Sequence, residues 1–198
     1  MSKQIETTID VQLENRDRIL VAFRLILVVP IALFLSAFTA WSDSSFLAAY
    51  AAGFAFLPAL LAILFRGVYP SYVLAFNKAL LGLSTRVTAY ATVLTDRYPS
   101  IEDDESVNIT YPEIDGGRAL NRGLVLVKWL LAIPLYIVGI FYIIYAFVLV
   151  VFAWFTILAT GSMPAAAADG IVRTIQYWNR VSGYAVLLVT DEYPSFSL

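Results

Sequence analysis

Residues 129–160 read WLLAIPLYIVGIFYIIYAFVLVVFAWFTILAT, an uninterrupted apolar stretch with no charge and no polar loop. One helix of that length would be about 48 Å long at a rise of ~1.5 Å per residue. Fitting it into a hydrocarbon core of ~30 Å would need a tilt of about 50°, beyond the usual range of roughly 0–40°. The stretch is therefore expected to fold back on itself. Counting from Gly123, with Lys128 extending its long stem toward the headgroups, about 38 residues are available, or roughly 19 per pass. A tight turn is expected near residues 139–145.

The first half of the chain holds a comparable pair of blocks. Residues 46–65 carry no charge, enough for one crossing, and residues 19–41 are interrupted only by Arg24 near their start. Trp41 suits the opposite interface, and Ser42-Asp43-Ser44-Ser45 reads as the polar turn between two passes.

Composition points the same way. Hydrophobic residues make up 60% of the 198 and charged residues 14%, with mean hydropathy +0.77, so membrane residence is expected. Cys and His are both absent, which removes thiol nucleophiles, disulfides, His-ligated metals and haems, and the commonest general base. Lys plus Arg is 13 and Asp plus Glu is 15, so no basic excess points to nucleic acid. The opening residues, with Glu6, Asp10, Glu14 and Asp17, do not read as a signal peptide. Two hairpins place all 13 basic residues on one side, which the positive-inside rule makes cytoplasmic, together with both termini.

The chain also reads as written twice. Arg18, Arg24 and Pro30 recur as Arg122, Lys128 and Pro134; Arg86-Val87-x-x-Tyr90 recurs as Arg180-Val181-x-x-Tyr184; and Thr95-Asp96-Arg97-Tyr98-Pro99-Ser100 recurs as Thr190-Asp191-Glu192-Tyr193-Pro194-Ser195. The expected fold is an all-α integral membrane protein of two tandem repeats. Each repeat is a transmembrane helical hairpin plus an interfacial amphipathic helix, making four transmembrane helices, with short cytoplasmic β-strands. The first repeat covers 1–101, with a strand, a hairpin over 19–65 and an amphipathic helix over 70–97. An acidic linker occupies 102–106, and the second repeat covers 107–198, with a strand, a hairpin over 123–160 and an amphipathic helix over 165–192.

The amphipathic segments follow Pro70 and Pro164. After Pro70, the apolar positions Val73, Phe76, Leu80, Leu83, Val87, Tyr90 and Leu94 step by three and four. After Pro164, Ile171, Ile175, Trp178, Val181, Ala185 and Leu188 do the same, opposite Arg173, Gln176, Asn179 and Arg180. Such a helix either lies in the bilayer interface or packs on the ends of its own hairpin, and the pattern leaves both open. Each is expected to stop at its Tyr-Pro pair. Asp96 and Asp191 would then oppose the helix dipole unless each bonds backbone amides of the turn or meets an Arg such as Arg86 or Arg180; the alternative is that the helix ends earlier and leaves the Asp solvated. The alternations Ile5, Ile9, Val11, Leu13 and Val107, Ile109, Tyr111 read as short strands, expected to pair with each other or with the tails.

A basic residue before an apolar run ending in Ile-Pro (Lys128 to Pro134), Gly-x-x-Pro after the second pass (Gly67 to Pro70, Gly161 to Pro164), Arg-Val-x-x-Tyr and the terminal Thr-Asp-Arg-Tyr-Pro together resemble a bacterial membrane family, domain of unknown function 4389, here in two copies. The resemblance implies topology and a bacterial inner-membrane location; it brings no mechanism. Where the family pattern has His after Ile-Pro this chain has Leu135, and Ser100 or Ser195 replaces a second Pro.

No phosphate loop, catalytic triad or carboxylate cluster inside a span is legible. The expected function is a non-catalytic accessory or scaffold subunit of a larger membrane complex, with the bilayer and other membrane subunits as partners. Phe141, Tyr142, Tyr145, Phe147, Phe152, Trp154, Phe155 and Trp178 are the candidate partner-facing aromatics. The alternative is binding or transport of a lipid or apolar small molecule (polyprenyl lipid, quinone, carotenoid) between the repeats, so no cofactor is expected beyond such a lipid or carotenoid. Arg24, Lys128, Arg86, Arg180, Asp96 and Asp191 are the candidates for headgroup contact or structural ion pairing.

Overall fold

The computed structural model describes residues 4–38, 54–102 and 104–198. Trp41, the Ser42 to Ser45 turn and the start of the block at 46–65 lie outside the described residues. A strand β1 (Glu6–Ile9) precedes three short helices, α1 (Arg18–Ala22), α2 (Arg24–Leu27) and α3 (Val29–Ser36). Helix α4 (Phe56–Arg66) and helix α5 (Ser71–Ala91) follow, then β2 (Val107–Thr110). The chain ends with α6 (Leu124–Leu131), α7 (Ile133–Thr160) and α8 (Ala165–Ala185). The two strands pair with each other, antiparallel, with Thr8 opposite Asn108.

Punctuation residues set most boundaries. Asp17 caps α1 by accepting from the amides of Ile19 and Leu20. Pro30 and Pro134 sit in the first turns of α3 and α7, where the missing N–H interrupts the ladder and separates each from the helix before it. Gly67 and Gly161 close α4 and α7 in the left-handed conformation, at φ 64° and 77°.

The turn expected near residues 139–145 is absent: α7 runs unbroken from Ile133 to Thr160. Gly139 serves packing instead of turning, because a Cβ there would stand 2.5 Å from Cζ2 of Trp178. Gly170 does the same from the other side, where a Cβ would meet Leu149 at 2.5 Å. With α8 seated along this stripe and no Pro or polar residue to break the ladder, a continuous helix keeps every backbone group paired. Leu124–Thr160 is the one described segment long and apolar enough to cross a membrane.

The amphipathic helices are shorter than the segments 70–97 and 165–192, and both are packed into the protein. Helices α5 and α8 end at Ala91 and Ala185, well before the Tyr-Pro pairs, where Val93 and Leu188 take left-handed φ of 56° and 59°. Both residues are buried, so packing holds a conformation that non-glycine residues otherwise avoid. Helix α8 buries Thr174, Tyr177, Asn179, Gly183 and Tyr184 as well as its apolar stripe. One side faces α7, with the Tyr177 hydroxyl donating to Leu135 O at 2.8 Å. The opposite side faces β1, where Gln176 Nε2 donates to Thr7 O at 2.8 Å and Ile5 covers Gly183. The molecule is layered: long apolar helices, then α5 and α8, then the two-stranded sheet.

Candidate functional site

Two buried cation–carboxylate clusters stand at opposite ends of the α6–α7 rod. In the first, Asp96 Oδ1 accepts from Arg16 Nη2 at 2.8 Å and Arg24 Nη2 at 2.6 Å, while Oδ2 accepts from the amide of Asp17 at 2.8 Å. The Arg24 guanidinium lies 3.9 Å over the Tyr90 ring. Arg16 further donates to the carbonyls of Val93 and Gln12. Two guanidiniums thus share one carboxylate in a nearly dry site, with Arg24 only 1% exposed. Burial pushes the Asp96 carboxyl up, but the Arg16 hydrogen bond, the Asp17 amide and the two positive charges outweigh it and hold it below the usual carboxylate value. Trp154 Nε1 donates to Val21 O at 2.9 Å and ties this cluster to the far end of α7.

In the second cluster, Lys128 Nζ pairs with Asp191 Oδ1 at 2.7 Å and donates to Thr190 O at 2.6 Å. The amide of Asn121 donates to Asp191 Oδ2 at 2.6 Å, and Tyr184 offers its ring to Lys128 at 5.3 Å. Lys128 is 0% exposed. Asp96 and Asp191 are therefore met by Arg24 and Lys128 and by backbone amides, not by Arg86 and Arg180. Arg86 donates from Nε to Ser100 O at 3.1 Å, and Arg180 donates from Nη2 to Ser197 O at 2.7 Å. Arg16, Tyr90, Tyr184 and Asn121 were missed as site residues, although the repeated Arg-Val-x-x-Tyr already placed both tyrosines in equivalent positions.

A third polar contact joins the two helices of the middle layer. Asn179 Nδ2 donates to Thr7 Oγ1 at 3.0 Å and to Thr85 Oγ1 at 3.1 Å, so α5, α8 and β1 meet at one buried amide. Nearby, Tyr69 donates to Leu187 O at 2.7 Å and accepts from Asn77 at 3.0 Å. Burial pushes the Tyr69 hydroxyl up to about 12, against the smaller opposing effect of Asn77. Burial likewise pushes Tyr177 to about 12. Neither phenol is poised as a base near neutrality, and Asp96 is occupied by its two cations.

The aromatics divide. Phe141, Phe147, Phe152 and Phe155 are each more than half exposed, and Tyr145 is exposed beside them. Tyr142, Trp154 and Trp178 are packed inward: Tyr142 donates to Phe196 O at 2.6 Å and meets Tyr177 edge-on, and Trp178 stacks on Tyr136. An open groove of about 560 Å³ runs between α5 and the α7–α8 pair, lined by Thr88, Thr92, Phe147, Val150, Ile171 and Trp178 among others. Its hydroxyls are already committed, since Ser84, Thr88, Thr92 and Thr174 donate to carbonyls of their own helices. A second cavity of about 590 Å³ lies between α5 and β2, with the charged Lys78, Arg86, Asp104 and Glu105 on its walls beside Ala75, Ala79, Val107 and Ile109. No group of three or more Asp or Glu able to hold a metal occurs among the described residues.

Residues 122–197 match the family model described as domain of unknown function (DUF4389). The match is a single copy over the second half, where two tandem copies were expected. No curated protein and no solved structure matches the chain.

Proposed function

We propose that this is a non-catalytic protein embedded in the bacterial cytoplasmic membrane, its termini on the cytoplasmic side, serving as an accessory or scaffold subunit of a larger membrane assembly. The observation that carries this reading is the exposed aromatics of α7: Phe141, Phe152 and Phe155 are each more than half exposed, and Phe147, equally exposed, opens onto the groove beside α5. Large rigid rings offer contact area at low entropic cost, which suits a partner helix as well as lipid. The test is a photoreactive benzoylphenylalanine placed at Phe147 or Phe155 in native membranes. A discrete protein adduct of constant mass is expected; adducts with lipid alone from both positions would refute the scaffold role.

The same reading takes the chain as a duplicated unit. Support comes from parts that correspond across the two halves: Arg24, Tyr90 and Asp96 against Lys128, Tyr184 and Asp191. Thr85 meets Asn179, which is its counterpart in the repeat. Arg122 covers Gly67 while Arg18 covers Gly161, an exchange between the halves.

A second reading, binding of a lipid or apolar small molecule, is favoured by the groove between α5 and α7–α8. Its volume of about 560 Å³ falls in the range of roughly 300–1,000 Å³ common for small-molecule sites. A stoichiometric isoprenoid or acyl compound in extracts of the purified protein would support it, and extracts matching bulk lipid would count against it.

A further inference from the structure

We infer that the α6–α7 rod lies along the bilayer rather than across it, immersed in one leaflet beneath α8 and the sheet. This rests on the reading that the protein is membrane-embedded, and it replaces spanning with monotopic insertion.

Depth along the rod is the deciding observation. The rod occupies Leu124–Thr160, so its middle falls near Tyr142. Trp178 of α8 lies against Gly139, and Gly170 lies against Tyr145 and Leu149. The exposed Asp169–Arg173 pair and the β1-facing residue Gln176 are therefore level with the middle of the rod. Successive helical residues turn by about 100°, which puts Gln176, Asn179 and Gly183 opposite Gly170, Tyr177 and Val181. The β1–β2 sheet thus flanks the rod's midpoint on the far side of α8.

Were the rod upright, this sheet would sit at the centre of the hydrocarbon. Each of its two strands is an edge, and open strand edges are not tolerated in lipid. Glu6, Thr8, Asn108, Glu105 and the Asp169–Arg173 pair would be stranded at the same depth. The rod is moreover about 55 Å long against a core of ~30 Å, so containing it whole would need a tilt of about 57°, beyond the usual 0–40°.

Laid flat, these conflicts vanish. The buried stripe of α7 (Leu135, Gly139, Ala153, Ile157) turns toward the protein, and the exposed part of its circumference, uncharged throughout, meets acyl chains. Helices α1, α2 and α3 add Ile19, Ile26 and Leu33 to the immersed side. Both ion clusters, one near each end of the rod, come to the same headgroup level, and every polar layer faces one compartment. Proline-marked α5 and α8 then form the floor of the aqueous part.

The test uses the absence of native cysteine. Ile137→Cys, Ile144→Cys, Val151→Cys and Phe155→Cys, all exposed and all on the side of α7 opposite its buried stripe, are spin-labelled singly in the full chain. The protein is reconstituted into vesicles of phosphatidylethanolamine and phosphatidylglycerol, and depth is read from the ratio of oxygen to nickel-chelate collision rates. Residues 137 and 155 are about 27 Å apart along the axis. A flat rod gives four depths that agree within ~5 Å, about one helix radius. A crossing rod gives its greatest depth at position 144, with 137 and 155 nearer opposite surfaces, and this outcome overturns the inference. High nickel-chelate access at all four positions would overturn membrane embedding itself.

Discussion

Replacing Asp96 with Asn tests whether one carboxylate neutralises two guanidiniums held out of water. The Arg16 and Arg24 side chains are 0% and 2% exposed and Asp96 is 10% exposed, so solvent cannot take over the lost charge. Asn keeps one acceptor oxygen and supplies no negative charge, leaving two buried cations with no counter-ion. Removing one partner of a buried pair costs about 3–5 kcal/mol. With an unfolding entropy of ~2.1 cal/mol/K per residue, a chain of 198 residues loses about 7–12 °C of melting midpoint. Asp191→Asn should cost less, about 1.5–3 kcal/mol, because Asp191 is 27% exposed and faces one cation that Thr190 O also holds.

The assay is thermal unfolding of the purified full chain in detergent, followed by circular dichroism across a pH series. The Asp96 carboxyl titrates below its ordinary value in the folded protein. Its contribution is therefore present above the unfolded value of about 3.9 and is lost as pH falls through the lower folded value. The gap between wild type and Asp96→Asn should be constant at neutral pH and close below about pH 4. A midpoint for Asp96→Asn within about 1 °C of wild type at neutral pH would refute the counter-ion argument.

Two further substitutions probe the packing. Gly139→Ala places a methyl 2.5 Å from Trp178; despite Ala's better helix propensity, overpacking should destabilise the chain by about 1–3 kcal/mol in denaturant titration. An unchanged or raised midpoint would mean that α8 does not seat there. Asn179→Leu removes the donor shared by Thr7 and Thr85 and should cost about 1–3 kcal/mol, with amide exchange accelerating in β1 before α7. Uniform acceleration would argue against that junction holding the sheet to the helices.

Local signals proved legible where the physics is local. Pro70 and Pro164 mark the starts of α5 and α8, Gly67 and Gly161 mark the ends of α4 and α7, and the alternation around Thr8 and Ile109 becomes the paired strands. The repeated Arg-Val-x-x-Tyr and Thr-Asp-x-Tyr-Pro motifs held the tyrosine and the carboxylate of each ion cluster, without saying that they meet or which cations join them.

Amino-acid order alone determined that residues 124–160 need an apolar environment, that the cations avoid that stretch apart from Lys128, and that neither thiol nor imidazole chemistry is available. Only the tertiary structure decided that the stretch is one rod rather than a hairpin, that Gly139 receives Trp178, and that Asp96 selects Arg16 and Arg24 over Arg86. The reason is range. Caps, prolines and periodicity act within about a turn of helix, whereas an apolar run has the same burial free energy folded back or straight until a partner such as α8 is laid against it.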